Sequence, residues 1–330
     1  MHELIAPRIL LGGNVLYPLA LRDGGVFLID AGPDIAGADG AEDSWTLLDT
    51  QLAAHGIEVG DVRYALVTHA HLDHAGLAYR WAGLGTTVLA GAADVPAIAL
   101  GQASRDAQRA LQLTDLSRHG CPDDVIEGMR SPRGPHPYGL RWEPCPRDAL
   151  EAAQSAYDLA DGRTLQVIDA PGHTPGNLVA FIHETGELFS GDTILPTTVP
   201  TPGMHYPEAI EGIEDAQRWP SLPPFIASVA KLRDLPVQRI LPAHGEIVDE
   251  PERLFGRFEE HHARRARRVR AALGDGPLTA YQVAKRMFPR IPPRRLGQAI
   301  TEVLGHLDLL RLSDALKELH ADNKIRYQLR

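Results

Sequence analysis

Four potential metal ligands lie close together in this chain. The stretch Thr68–Gly76 contains His69, His71, Asp73 and His74, directly after a short apolar run. Imidazole and carboxylate groups are ligands that zinc, iron and manganese take in proteins. A single buried histidine is usually a packing residue, but four such groups at the end of a predicted strand favour a metal site. The spacing therefore indicates metal-dependent chemistry.

Four more side chains of the same ligand types occur further apart along the chain. Each follows a predicted strand and has glycine or proline nearby: Asp30 in Asp-Ala-Gly, His173 in Pro-Gly-His-Thr-Pro-Gly, Asp192 in Ser-Gly-Asp-Thr and His244 in Pro-Ala-His-Gly. Histidines beside glycine also occur in ordinary turns. The ordered set as a whole makes a ligand role the better interpretation of His173 and His244.

The elements that must position these residues are short strands and intervening helices. Apolar runs predict strands at 26–32, 63–68, 86–90, 165–170, 178–183, 187–190 and 238–241. Helical spacing is found at 43–55, 95–119 and 225–235. A strand, then a loop with His or Asp, then a helix or hairpin recurs in both halves of this region. We expect an α/β sandwich of sheets flanked by helices, with the strand-end loops gathered on one edge.

The motifs His-x-His-x-Asp-His, Pro-Gly-His-Thr-Pro-Gly, Ser-Gly-Asp-Thr and Pro-Ala-His-Gly, together with Asp30, occur in a characteristic order. In this set and order the chain resembles the metallo-β-lactamase-fold hydrolase superfamily over about residues 8–250. The resemblance implies an αββα sandwich and a hydrolase. No cysteine lies near the motifs, which disfavours hydrolysis of antibiotics.

The resemblance also implies two divalent metal ions, zinc in the first place, with iron and manganese as alternatives. The implied ligands are His69, His71 and His173 for the first metal, Asp73, His74 and His244 for the second, and Asp192 as the carboxylate between them. Asp30 resembles the family's buried aspartate, which orients the metal-binding loop and is not a ligand.

Charge and acidity explain the expected reaction. A bound divalent metal lowers the pKa of water from about 15.7 to about 7, so a metal-bridging hydroxide is available at neutral pH. We expect this nucleophile to attack a carbonyl carbon or a phosphorus atom, with Asp73 also able to orient it. Asp73, in addition to its implied role as a metal ligand, and Asp30 are thus the catalytic candidates. His119, His136 and His205 are weaker candidates for contacts with substrate.

Composition is that of an ordinary globular protein, with 330 residues, 44% hydrophobic and 23% charged. The start of the chain has no signal-peptide pattern and no apolar run is long enough to cross a bilayer, so we expect a cytoplasmic protein without a membrane role. Cys121 and Cys145 are the only cysteines and are interpreted as free thiols.

The chain divides into two predicted units of opposite charge. Residues 1–253 form the expected catalytic domain, with 93–156 as a helical and loop insertion that caps the substrate pocket or is purely structural. The pattern of residues 254–330 predicts three helices and a two-stranded wing that turns at Asp322-Asn323, a winged-helix-like domain. From Arg257 to Arg330 the net charge is +8, and residues 1–256 carry −18. The basic unit is expected either to meet nucleic acid or to pack on the acidic body, or to support a homodimer.

Two substrate classes remain open on the sequence alone. The ligand set resembles glyoxalase II (hydroxyacylglutathione hydrolase), which implies a small thioester, ester or lactone, and we favour a small-molecule substrate over nucleic acid. The alternative is a metal-dependent endoribonuclease or phosphodiesterase, because the basic C-terminal region resembles that of β-lactamase-like proteins, some of which cut single-stranded RNA. The arginines that would contact phosphates are Arg264, Arg265, Arg267, Arg268, Arg270, Arg286, Arg290, Arg294 and Arg295.

Two further interpretations are disfavoured. A persulfide dioxygenase on the same fold would hold one iron per chain. A non-catalytic binding protein would have a damaged ligand set, and this set is complete.

Overall fold

The computed structural model describes residues 6–37, 42–130, 139–274 and 276–330. His136 and Tyr138, in the predicted insertion loop, lie outside these residues, as do the first five residues. Fifteen strands are described: β1 Ile9–Leu11, β2 Asn14–Ala20, β3 Val26–Ile29, β4 Asp34–Ile35, β5 Val62–Val67, β6 Thr87–Ala90, β7 Leu140–Arg141, β8 Leu150–Ala152, β9 Ala156–Asp158, β10 Thr164–Asp169, β11 Leu178–Ile182, β12 Glu187–Gly191, β13 Arg239–Pro242, β14 Leu316–Ala321 and β15 Lys324–Leu329.

Eleven α-helices are described in the same residues. They are α1 Ser44–Ala54, α2 Leu72–Ala75, α3 Ala78–Gly83, α4 Val95–Leu100, α5 Gln102–Arg118, α6 Asp123–Arg130, α7 Pro207–Ile210, α8 Leu222–Arg233, α9 Pro251–Leu273, α10 Ala280–Met287 and α11 Leu296–Leu312. Within the described ranges, no helix combines the length and the apolar character that crossing a membrane requires.

Two sheets form the centre of the molecule. The first has the order β1-β2-β3-β5-β6-β8, and its pairs from β3 onward are parallel. The second has the order β13-β12-β11-β10-β9, with only β12 and β13 parallel. Tyr17, Phe27 and Leu66 of the first sheet share one buried cluster with Leu165 and Phe189 of the second. The sheets therefore pack face to face.

Helices cover the outer face of each sheet. Leu48 of α1, Trp81 of α3 and Ile98 of α4 are buried against the first sheet. Phe225 of α8 and Phe255 of α9 are buried against the second. The layers are thus helix, sheet, sheet and helix, which confirms the predicted αββα sandwich.

The predicted helix over Val95–His119 is in fact two helices, α4 and α5, which meet at Gly101. The φ angle of Gly101 is +56°, and a Cβ there would lie 2.6 Å from the carbonyl oxygen of Trp142. Only glycine allows the chain after β7 to approach the backbone this closely. The periodicity indicates helical structure correctly, but the break at Gly101 depends on a contact with a distant segment of the chain.

The C-terminal region has three helices, α9, α10 and α11, followed by the antiparallel hairpin of β14 and β15. The hairpin turns at Asp322 and Asn323, both with positive φ, as the sequence predicts. This element order is the predicted one, while the division into domains at residue 253 and the winged-helix assignment stay predictions.

The insertion and the C-terminal region share one hydrophobic core. Leu113 and Leu116 of α5 and Ile126 of α6 lie in the same buried cluster as Val283 of α10 and Val303 of α11. Lys324 of the hairpin also donates to the carbonyl oxygen of Ser117, at 2.7 Å. The insertion therefore has a structural role in holding the C-terminal helices.

Candidate metal centre

Three of the predicted ligands converge where β5 and β10 end. His69 and His71 follow β5, and His173 lies in the loop after β10. The His71 Nδ1 atom is 2.9 Å from His69 Nε2 and 3.1 Å from His173 Nε2. A neutral imidazole has one donor and one acceptor nitrogen, so this cluster cannot satisfy all three rings internally. The arrangement is that of ligands directed at a common point.

A second group of three adjoins the first. Asp73 and His74 lie on the short helix α2, and His244 follows β13. The Asp73 Oδ2 atom is 3.4 Å from His244 Nε2 and 3.6 Å from His74 Nε2. The ligand atoms of each group all lie within 4.8 Å of one another.

Asp192, at the end of β12, faces both groups. Its Oδ1 atom is 3.4 Å from His244 Nε2, and its Oδ2 atom is 3.6 Å from His173 Nε2. The structure therefore brings all seven predicted ligands together, with one carboxylate between the two groups.

Asp30 contacts Thr68 and His74 and so fixes the orientation of side chains in this site. It has a φ of +65° and accepts from the backbone N–H of Thr68 at 3.0 Å and from the Thr68 hydroxyl at 2.7 Å. Its second oxygen is 2.9 Å from His74 Nδ1, which turns Nε2 of that ring toward the site. A carboxylate that holds the outer nitrogen of a ligand histidine is a common feature of metal centres.

The site fits a metal because several of its atoms have no other partner. His74 Nε2, His173 Nδ1 and Asp192 Oδ1 are buried and make no hydrogen bond within the described part of the chain. Leaving such a group unsatisfied costs about 1–3 kcal/mol each. Divalent cations would satisfy His74 Nε2 and Asp192 Oδ1 by coordination, and the imidazole and carboxylate donors suit zinc, iron or manganese.

Burial sets the protonation of the first group. Burial lowers the pKa of His71 to about 3 and also lowers those of His69 and His173 well below the usual range. These rings are therefore neutral at pH 7 and keep a lone pair for a metal, since only the unprotonated ring can coordinate.

The second group has the opposite electrostatics. Burial lowers the pKa of His74, but the three carboxylates around the ring outweigh burial and raise it to about 10. Burial raises the pKa of Asp73, but His74 and His244 outweigh it and hold that pKa below its usual range. This pocket attracts positive charge, and a divalent cation would replace the His74 proton.

Asp94 is a site residue that the sequence analysis missed. It lies just before α4 and accepts from the backbone N–H of Ala70 and of Gly176, both at 2.8 Å, and from the hydroxyl of Thr174 at 2.6 Å. It thus ties the loop that carries His69 and His71 to the loop that carries His173. The only available signal was its position shortly after β6, on the edge of the sheet where the other site residues follow their strands.

The three weaker histidine candidates fall in different places. His205 Nε2 is 2.8 Å from the carbonyl oxygen of His173, and its ring centroid is 6.4 Å from that of His71, so it borders the site. His119 does not, because it is buried against the Tyr327 hydroxyl at 3.2 Å. His136 lies outside the described residues.

A cavity of about 850 Å³ opens onto the metal-ligand loop. It is lined by His71 and Asp73, by α5, by Trp142 and by the segment around His205. A cavity of similar volume between α5 and the β14–β15 hairpin contains none of the predicted ligands. The first cavity is therefore the candidate substrate site.

Another cluster of potential ligands lies between α9 and α11. His261, His262 and Glu302 have ligand atoms within 4.8 Å of one another. However, Arg265 Nε is 3.4 Å from the Glu302 oxygen that also lies 3.3 Å from His261 Nε2. A guanidinium this close repels a divalent cation, so we interpret the cluster as a buried ion-pair network that joins the two helices.

Comparison with known proteins agrees with the fold and the site. The sequence model of the metallo-beta-lactamase superfamily matches residues 13–244, well over half of the chain. The chain belongs to the metallo-beta-lactamase superfamily and is a metallo-hydrolase of that family.

Several relatives extend the similarity. The chain is 27% identical to the protein named "Probable metallo-hydrolase YqjP" of Bacillus subtilis, covering 96% of this chain and 93% of the relative. It is similar to the crystal structure of a metallo-beta-lactamase family protein from Thermus thermophilus, with a TM-score of 0.72, 26% identity and coverage of 99% and 98%. It is also 24% identical to an atrochrysone carboxyl ACP thioesterase of Aspergillus fumigatus, over 40% of each chain.

Proposed function

We propose that this protein is a dinuclear metal-dependent hydrolase of small thioesters or esters. The observation that carries the proposal is the pair of adjoining ligand groups with Asp192 directed at both. His69, His71 and His173 would hold one ion, and Asp73, His74 and His244 the other. Divalent ions in such a site supply an acidified water with a pKa near about 7 and polarise the carbonyl oxygen of the substrate.

The chain's own residues orient the reaction. Asp73 stays ionised because its pKa is held low, and it lines the cavity. Its carboxylate can therefore accept a hydrogen bond from an O–H or N–H group bound at the site. Asp30 and Asp94 hold in place the loop that carries His69 and His71, and Asp94 also holds the loop that carries His173. Hydrolysis of a thioester breaks the bond between the acyl carbon and sulfur, forms a bond from that carbon to the oxygen of water, and releases a carboxylic acid and a thiol.

The cavity supports a small substrate. Its volume of about 850 Å³ lies in the range of sites for small molecules. The similarity to a protein named as an ACP thioesterase is consistent with a thioester, although it covers 40% of this chain.

Nucleic acid is the less supported candidate because several of the C-terminal arginines serve packing. Arg268 donates to the Met287 carbonyl oxygen, Arg286 to that of Ala272 at 2.8 Å, and Arg265 lies beside Glu302. The observation that keeps a nuclease as the second candidate is the exposure of others on α9: Arg264, Arg267 and Arg270.

The test compares metal-loaded protein on an acylglutathione thioester and on single-stranded RNA, with Asp192→Ala protein as blank and metal content measured for both proteins. Thioester turnover alone, lost with bound metal in Asp192→Ala, is the expected result. RNA cleavage alone would favour the nuclease, and full turnover by a variant that had lost its metal would refute the ligand assignment. One bound iron per chain with oxygen consumption on glutathione persulfide would indicate a dioxygenase.

A further inference from the structure

Most polar side chains on the α5 wall of the candidate substrate cavity are already engaged. The Gln108 oxygen accepts from the backbone N–H of Tyr206 at 2.8 Å, and Gln112 donates to the Met204 carbonyl oxygen at 3.0 Å. Arg109 donates to the Met129 carbonyl oxygen at 2.6 Å. These side chains join α5 to the segments on either side of it and so maintain the cavity wall.

Arg105 lies on the same wall and differs from them. Its one hydrogen bond within the described residues is a long one, 3.4 Å from Nη1 to the Gln102 oxygen. Within those residues no carboxylate comes within 4 Å of its guanidinium; the nearby Asp106 instead accepts from Gln102 at 3.0 Å. An exposed arginine of this kind keeps its donors available to a ligand.

The position of Arg105 relates it to the metal centre. It lines the same cavity as His71 and Asp73. Another carboxylate of this cavity, Asp94, accepts from three other donors, and within the described residues it forms no ion pair with Arg105. A guanidinium presents donors only, in a planar fork that matches a carboxylate or phosphate.

We propose that Arg105 forms an anion-binding subsite of the substrate cavity, so that the preferred substrate carries a carboxylate or phosphate on the part remote from the acyl group. This inference rests on the proposed hydrolase function, because it assigns the acyl group to the metal centre. The ligand class is an anionic thioester or ester of low molecular weight.

The experiment uses three acetyl thioesters that differ in the charge of the thiol. They are made with mercaptopropionate, which is anionic, with N-acetylcysteamine, which is neutral, and with thiocholine, which is cationic. Release of thiol is followed for the metal-loaded wild-type protein and for Arg105→Gln, Arg105→Lys and Arg105→Glu. Arg118→Gln is the matched control, since Arg118 is on the same helix, pairs with Asp115 at 3.1 Å and does not line this cavity.

We expect the wild-type protein to prefer the anionic thioester, and Arg105→Gln to lower kcat/KM for that substrate about tenfold, the value of one hydrogen bond to a charged group. The loss should be in KM, because the contact is the same in ground state and transition state. The neutral thioester should be unaffected, Arg105→Lys should recover part of the preference, and Arg105→Glu should shift it toward the cationic thioester.

The inference is overturned if the three thioesters respond equally to Arg105→Gln, if none responds, or if Arg118→Gln has the same effect. Failure of the proposed function gives a different result, namely no metal-dependent thiol release from any of the three. In that case, isothermal titration calorimetry with S-acetonyl mercaptopropionate, which is a thioether, tests the subsite alone. Binding that Arg105→Gln weakens would retain the subsite, and unchanged or undetectable binding would reject it.

Discussion

Substitution of Asp94 tests whether a residue that touches no metal ligand side chain determines the metal affinity. Its two oxygens accept three hydrogen bonds, from Ala70 and Thr174 to Oδ2 and from Gly176 to Oδ1. These contacts span the two loops that supply the first group of ligands. Asp94 is 2% exposed, so water cannot replace the carboxylate without rearrangement.

The structure gives the size of the effect. Asp94→Asn can keep the two bonds at Oδ2, but its amide nitrogen then faces the Gly176 N–H, so this buried donor loses its acceptor at a cost of about 1–3 kcal/mol. Asp94→Ala leaves all three donors unsatisfied. Loss of an outer contact of this kind lowers metal affinity about 10–100-fold, and we expect Asp94→Asn at the lower end of that range and Asp94→Ala at the upper end.

The assay is competition for zinc with a chromophoric chelator, together with thermal unfolding of metal-free and metal-loaded protein. Asp106→Asn is the control, because Asp106 also lines the cavity and carries a carboxylate, but it is exposed and, among the residues that the structure describes, hydrogen-bonded only to Gln102. We expect zinc to raise the unfolding temperature less in the Asp94 variants than in the control. Wild-type zinc affinity in a folded Asp94→Ala protein would refute the reasoning.

Three other substitutions test separate parts of the argument. Asp30→Asn should release His74 and lower metal affinity about 10–100-fold, with the bound metal content falling toward one ion per chain by elemental analysis. Gly101→Ala should destabilise the fold by about 1–3 kcal/mol in urea unfolding, because of the positive φ and the nearby Trp142 carbonyl. Burial raises the pKa of Glu302, but its contacts with His261 and His306 outweigh burial and hold that pKa well below its ordinary value of 4.5. Because the pKa of Glu302 is lower in the folded than in the unfolded protein, its ionised carboxylate stabilises the fold above pH 4.5, and this contribution is lost as the pH falls below that value. Glu302→Gln should therefore lower the free energy of unfolding at pH 7 and flatten the acid side of the pH–stability profile.

That the candidate ligands lie together could be predicted, because their positions depend on local rules. Most of these residues directly follow a strand, and the strands that carry them belong to two sheets packed face to face. Asp30 and His69 follow the parallel strands β3 and β5, and their loops therefore meet at one edge. His173, Asp192 and His244 follow strands of the second sheet in the same way.

The residues that were missed act through contacts between distant segments. Asp94 is one carboxylate in an unremarkable stretch, and its role exists only because Gly176 and Thr174 approach it from 82 and 80 positions away in the chain. Gly101 breaks a continuous helical pattern because a later segment needs the space. Neither feature has a signature in composition or periodicity.

The basic charge of the C-terminal region is a further case where the sequence left two outcomes open. Arg257 donates to the carbonyl oxygens of Pro196 at 2.6 Å and of Thr198 at 3.0 Å, and Arg218 pairs with Asp308 of α11 at 2.7 Å. Cationic side chains therefore help to attach α9 and α11 to the rest of the chain. Of these two arginines Arg257 belongs to the basic C-terminal region, and its role in packing accounts for part of that region's positive charge without a nucleic-acid partner.

The shared core of the insertion and the C-terminal helices changes how the two substrate hypotheses should be separated. One part of α5 buries Leu113 and Leu116 against the C-terminal helices, and another part presents Arg105 to the substrate cavity. Deleting residues 257–330 would expose that buried surface and displace the cavity wall, so both activities would fall together. Substitutions of the exposed arginines on α9, Arg264 and Arg267, leave the core intact. They should reduce cleavage of RNA if nucleic acid is the substrate and leave thioester hydrolysis unchanged if it is not.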